Sequence, residues 1–247
     1  MRLFMYLLMV ACLVPASGVL AQTSPPREEL AAGSRYLVYE TGAAGPADAL
    51  PLIVALHYSG AHPEVLVDAF TGLQVPARVV LPEGPHPRPQ GKSWFPQGYG
   101  QRPDIEQAAL TRESERRLLE VVGAVEARYP GRGKAIVTGV SYGGDLAFLL
   151  ALDHPAQFRA AFPVAARLLP EWLPARPACA ADCPSLHALH GEDDATVPIG
   201  PTRAGVETLR ERGFDAALTP YPGIAHDFSA DMQADLRARI EALLRSP

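Results

Sequence analysis

Lysine, cysteine and long apolar runs are all scarce in this sequence. Only Lys92 and Lys134 are lysines among 22 basic residues, and 27 acidic residues outnumber them to give a formal charge of −5. A chain with that charge and a pI near 5.8 lacks the basic footprint that nucleic acid or an anionic membrane surface requires, so neither is an expected partner. The arginine bias itself carries no functional weight. No stretch reaches the roughly eighteen apolar residues of a permanent membrane span, the longest being residues 3–14. Glycine and proline, 21 and 25 of 247 residues, stay below the fraction typical of disordered chains, and 48% of the residues are hydrophobic. One globular domain with a sizeable core is the expectation.

The apolar run that does exist begins the chain. Arg2 supplies a positive start, residues 3–14 are apolar, and Val19-Leu20-Ala21 before Gln22 fits the small-residue pattern of signal-peptide cleavage. Residues 1–21 therefore read as a signal peptide, with export to the periplasm or medium, against the alternative of a buried N-terminal helix. Cys12 is a poor lipoprotein cysteine because Met9-Val10-Ala11 precedes it. Cleavage would leave Cys179 and Cys183, four residues apart in a proline-bearing loop, and an oxidising compartment favours closing them as a disulfide. A metal is the weaker reading, since this pair lacks clustered partners to complete four ligands. No metal site is expected.

Residues 22–34 are polar and proline-bearing and read as a flexible leader to a domain over 35–247. Short β-type runs follow at 36–40, 52–56, 78–81, 134–139, 160–164, 185–190 and 215–220, interleaved with helical patterns at 104–128, 142–153, 202–212 and 229–244. In the first helical pattern Ile105, Ala109, Leu118, Val122 and Val125 recur at helical spacing. Strands alternating with helices predict an α/β fold, a mostly parallel central sheet with helices on both faces. Ligands in such folds bind at the carboxyl ends of the strands.

Three of those strand ends carry chemistry. Ala135 to Val140 is an apolar strand running into Gly139-Val140-Ser141-Tyr142-Gly143 and then an apolar helix. A serine on a tight strand-to-helix turn needs neighbours without side chains two residues away, and Gly139 and Gly143 meet that need. Ser141 is the candidate nucleophile, and the Tyr142 backbone N–H is a candidate oxyanion donor. A purely structural Gly-Ser turn is the competing reading. A serine hydroxyl needs a base oriented by a carboxylate. Glu192-Asp193-Asp194 follows the strand at 185–190, and His226 follows the strand at 215–220. Asp194 is the candidate acid, with Asp193 and then Glu192 behind it, and His226 is the candidate base. His190 and His154 read as loop-bracing and helix-end residues, while His62, His86 and His187 have no assigned role. At the end of the strand at 52–56, His57-Tyr58-Ser59-Gly60 places the Ser59 backbone N–H as the second oxyanion donor.

In this order the chain resembles the phospholipase/carboxylesterase (acyl-protein thioesterase-like) family of α/β-hydrolases. The resemblance rests on Leu56-His57, Pro82-Glu83-Gly84-Pro85, Trp94-Phe95, Gly139 to Gly144, Gly191 to Pro198, and Gly223 to His226, and covers roughly residues 36–245. It implies the α/β-hydrolase fold and a wall of the substrate site near Trp94 and Phe95, against core packing as the alternative for both. Two departures stand out. Tyr58 replaces the family's glycine after His57, so its side chain narrows the oxyanion loop or walls the substrate site. Ala166-Arg167 replaces a Ser-Gly pair, with Arg167 either on the surface or facing an acidic substrate group.

The leading expectation is a secreted serine hydrolase that cleaves small-molecule carboxylic esters and needs no cofactor. A peptidase, or a polyester or feruloyl-type esterase, would use the same triad. The remaining alternative is a catalytically silent binding protein, motivated by Tyr58.

Overall fold

The computed structural model describes residues 24–176 and 182–246. The expected signal peptide lies outside them, as does Cys179 of the expected Cys179–Cys183 pair. The elements run β1 (Arg27–Ala31), β2 (Ser34–Glu40), β3 (Leu52–Leu56), α1 (Val67–Thr71), β4 (Arg78–Pro82), β5 (His86–Arg88), β6 (Gly91–Ser93), α2 (Asp104–Arg128), β7 (Ala135–Val140), α3 (Tyr142–Asp153), β8 (Phe158–Val164), β9 (Ser185–Gly191), α4 (Ile199–Glu211), β10 (Ala216–Tyr221) and α5 (Ala230–Arg245).

Eight strands form one sheet in the order β1-β2-β4-β3-β7-β8-β9-β10, and β5 and β6 form a separate hairpin. Pairing is antiparallel at β1–β2 and β2–β4 and parallel from β4 to β10. Successive side chains of a strand leave on opposite faces, so a strand apolar at every position must be covered twice. In β3, Leu52, Val54 and Leu56 enter the core beneath α2, α3 and α4, while Ile53 and Ala55 enter the core beneath α1 and α5. This is the expected α/β architecture. Among the described residues no helix is long and apolar enough to cross a membrane.

Two expectations need correction. Residues 22–34 are not a loose leader throughout, because residues 27–31 form β1 on the sheet edge. Their charges have partners far along the chain. Arg27 donates from both terminal nitrogens to Glu40, at 2.8 and 2.9 Å, and Glu29 accepts the hydroxyls of Tyr36 and Tyr129. Glu40 is wholly buried and is also met by the buried Arg78, whose other nitrogens donate to the carbonyls of Pro130 and Pro46 at 2.9 Å. In α2, the helical spacing holds but its first turns overhang the sheet. Ile105 is 79% exposed, whereas Leu118, Val122 and Val125 are buried.

Candidate active site

Ser141 stands between β7 and α3 with φ 55° and ψ −122°, a backbone conformation that L-residues rarely adopt. The turn survives because its neighbours are bare. A Cβ on Gly139 would sit 2.3 Å from the Gly143 carbonyl oxygen, and one on Gly143 would sit 2.3 Å from that of Leu56. The turn is held from outside by the Ser141 N–H donating to Val164 O at 2.9 Å. Tyr142 begins α3, so its N–H has no partner within the helix.

Loops after β9 and β10 bring the other two candidates to the serine. His226 Nε2 lies 3.1 Å from Ser141 Oγ, and its Nδ1 lies 2.7 Å from Asp194 Oδ2. The carboxylate is an obligate acceptor, so Nδ1 carries the proton and Nε2 is free to accept from the serine hydroxyl. Asp194 is buried, and its Oδ1 accepts the N–H groups of Thr196 and Val197 at 2.9 and 2.7 Å, which fixes the carboxylate plane. Asp193 and Glu192 are exposed and make no such contact. Burial holds His190 below the ordinary histidine range, and its neutral ring donates to Val197 O at 2.8 Å, bracing the Asp194 loop.

Ser59, Tyr58, Ser141 and His226 line one cleft of about 450 Å³. The Ser59 loop is held by a network that sequence reasoning missed. Trp94 Nε1 donates to His57 O at 2.7 Å, and His57 Nε2 accepts the Gly84 N–H at 3.0 Å. Its Nδ1 then donates to Tyr58 O at 2.8 Å. Burial pushes the His57 ring below its usual range, in keeping with this neutral form. The β5–β6 hairpin adds two backbone bonds, Gly60 N–H to Lys92 O at 2.8 Å and Lys92 N–H to Ala61 O at 2.9 Å.

Trp94 and Phe95 are therefore not substrate-site walls. They are 2% and 0% exposed and belong to the core, where Phe95 stacks on Tyr99 at 4.0 Å. Their apolar bulk suited either place, and the buried His57 carbonyl needing a donor decides it. Tyr58 does line the cleft, and Val65, Leu66 and Phe228, which the sequence did not single out, add apolar wall. Arg167 does not point freely at substrate. Its Nε and Nη2 donate to the buried Asp145 at 2.8 and 2.6 Å, and its guanidinium lies 5.3 Å from the Tyr142 ring centre. An acid inside the apolar run of α3 was the available signal, since a buried carboxylate requires a cationic partner.

A doubly covered, mostly parallel sheet with a serine on a strained strand-to-helix turn defines an α/β-hydrolase. The chain belongs to the Phospholipase/Carboxylesterase family, whose model matches residues 45–244. Its family is one of carboxylic-ester hydrolases. Its fold is similar to that of esterase PE8, with a TM-score of 0.68, 24% identity, and coverage of 80% of this chain and 96% of that one. It is also similar to acyl-protein thioesterase 2 of Zea mays, with a TM-score of 0.62, 18% identity, and coverage of 85% and 99%. A third similar structure is SOBER1 of Arabidopsis thaliana, with a TM-score of 0.62, 19% identity, and coverage of 79% and 99%. No curated protein matches the chain in sequence.

Proposed function

We propose that this protein is an exported serine esterase that cleaves small carboxylic esters through an acyl-enzyme on Ser141. The observation that carries the reading is the unbroken chain Ser141 Oγ, His226, Asp194, at 3.1 and 2.7 Å, opening into the cleft that Ser59 lines. Ser141 Oγ attacks the ester carbonyl carbon while its proton passes to His226 Nε2. Asp194 holds the imidazole in position and stabilises the imidazolium, and the N–H groups of Ser59 and Tyr142 receive the oxyanion. The C–O bond then breaks and His226 returns the proton to the leaving alcohol. Water, deprotonated by His226, attacks the acyl-enzyme, the bond to Ser141 Oγ breaks, and His226 returns the proton to that oxygen as the acid leaves. A cleft of about 450 Å³ lined by Tyr58, Val65, Leu66 and Phe228 suits a small to medium acyl group with an apolar body.

Turnover of p-nitrophenyl esters from acetyl to palmitoyl tests the reading. Activity should peak at short to medium chains and fall by about 10⁴-fold or more in Ser141→Ala and His226→Ala. Equal turnover by Ser141→Ala would overturn it. Faster turnover of aminoacyl anilides would instead make it a peptidase. Export rests on residues 1–21, and N-terminal sequencing of secreted protein should begin at Gln22.

A further inference from the structure

A second cleft, of about 890 Å³, opens where α2, the end of α3 and the 3-10 turn Pro170–Trp172 meet. Its volume is that of a small-molecule site. Asp153 ends α3 and Ser141 precedes it, so the 12-residue helix sets the Asp153 end of this cleft about 18 Å from the candidate nucleophile.

Glu115 lines the cleft and is only 5% exposed. Its Oε1 is the one buried side-chain oxygen or nitrogen among the described residues without a hydrogen-bond partner. Buried polar atoms are almost always paired, so an orphan acceptor on a cleft wall points to a donor from outside. The side chain it does meet is a second carboxyl, Asp153, which hydrogen-bonds the protonated form of Glu115, with Arg112 as the opposing charge. Burial and that neighbour push the Glu115 carboxyl up to about 7. Around the cleft Glu115, Glu120, Asp153 and Glu171 outnumber Arg112 and Arg116, and Arg116 is already bound to Glu120 at 3.0 Å. His154 also lines it.

We propose that this cleft binds a small organic ammonium ion between the carboxylates of Glu115 and Asp153, with its apolar body against Leu119, Leu149 and Trp172. An ammonium group has three donors, enough to satisfy Glu115 Oε1 and still reach Asp153. The indole of Trp172, over which the Arg167 guanidinium lies 5.8 Å from the ring centre, adds apolar surface to the cleft. An anion would meet the excess of carboxylates. A metal ion is disfavoured because no group of three or more His, Cys, Asp or Glu among the described residues could hold one. The ammonium binds the ionised form of Glu115, so affinity rises with pH through about 7, and at lower pH binding expels a proton to the buffer. The site is independent of acyl transfer at Ser141.

Calorimetric titration of the folded protein with benzylammonium chloride near pH 8 and near pH 6 tests the proposal, with benzyl alcohol as the neutral counterpart. Saturable binding of the cation alone is expected, weaker near pH 6, and weakened about tenfold in both Glu115→Gln and Asp153→Asn. Asp153 is exposed, so its variant carries the test should Glu115→Gln fail to fold. No saturable binding near pH 8, equal binding of benzyl alcohol, or unchanged affinity in the folded variants would overturn the proposal.

Discussion

Replacing Asp194 by asparagine should disable the candidate base without disturbing the fold, and the structure says which way the new side chain turns. Asp194 Oδ1 accepts two backbone N–H groups, from Thr196 and Val197, while Oδ2 faces His226 Nδ1 at 2.7 Å. In Asp194→Asn the carboxamide oxygen must take the Oδ1 place, since an NH₂ there would meet two donors. The NH₂ then faces His226 Nδ1, which can only accept, and the imidazole proton moves to Nε2. That nitrogen, 3.1 Å from Ser141 Oγ, can no longer take the serine proton. The equivalent change in serine proteases lowers kcat about 10⁴-fold, which corresponds to roughly 5.5 kcal/mol of barrier. The assay is kcat on p-nitrophenyl butyrate, with thermal melting to show an intact fold. Asp193→Asn is the paired control, because Asp193 is exposed and its backbone N–H, not its carboxylate, makes the loop contact to Ile224 O. A loss below tenfold in Asp194→Asn, or an equal loss in Asp193→Asn, would refute the assigned roles.

Removing the indole donor that holds the loop bearing Ser59, the proposed oxyanion donor, in Trp94→Phe, should lower kcat about tenfold or more with KM nearly unchanged, because the His57 carbonyl loses its partner while the cleft walls stay. A change in KM alone would show that the loop is not positioned this way. Arg78→Ala leaves the buried Glu40 with Arg27 and Ser24 alone, removes the donors to the Pro130 and Pro46 carbonyls, and should cost about 3–5 kcal/mol in urea unfolding. Burial pushes the Glu40 carboxyl up, but the hydrogen bonds from Arg27, Arg78 and Ser24 outweigh it and hold the group below the usual carboxylate range. Its stabilisation is thus present above that range and lost as the pH falls through the depressed value, so Arg78→Ala should also flatten the acid limb of the stability curve. Glu115, pushed up from 4.5 to about 7, favours the folded state while protonated and withdraws that stability as the pH rises through 7. Glu115→Gln should therefore gain roughly 1–2 kcal/mol near pH 8.5, and the gain should shrink as the pH falls towards 4.5.

The parts of the fold that announce themselves in the sequence are those whose partners are generic. A β3 or β7 apolar at every position requires cover on both faces whatever the cover is, and the boundaries of α2 and α3 follow from local spacing and the breaks beside them. The Gly-Ser turn is equally local, since its glycines are demanded by contacts within a few residues and with β3. What stayed hidden depends on specific distant partners. The polar run of β1 is a strand because Glu40, Tyr36 and Tyr129 receive its charges, and none of them is recognisable from residues 27–31. The short hairpin β5–β6 has no apolar pattern, yet it clamps the loop beside Ser59. Trp94 and Phe95 lie close to the site in the fold but face the core, and sequence order alone cannot choose between those directions.

In the proposed reaction Ser141 carries the acyl group during turnover. Rapid acid quenching of the protein with p-nitrophenyl acetate, followed by peptide mass spectrometry, tests it most directly. One acetyl group is expected on the peptide containing Ser141, formed with a burst of p-nitrophenol and absent from Ser141→Ala. Steady hydrolysis without that adduct, at a rate that Ser141→Ala retains, would contradict it.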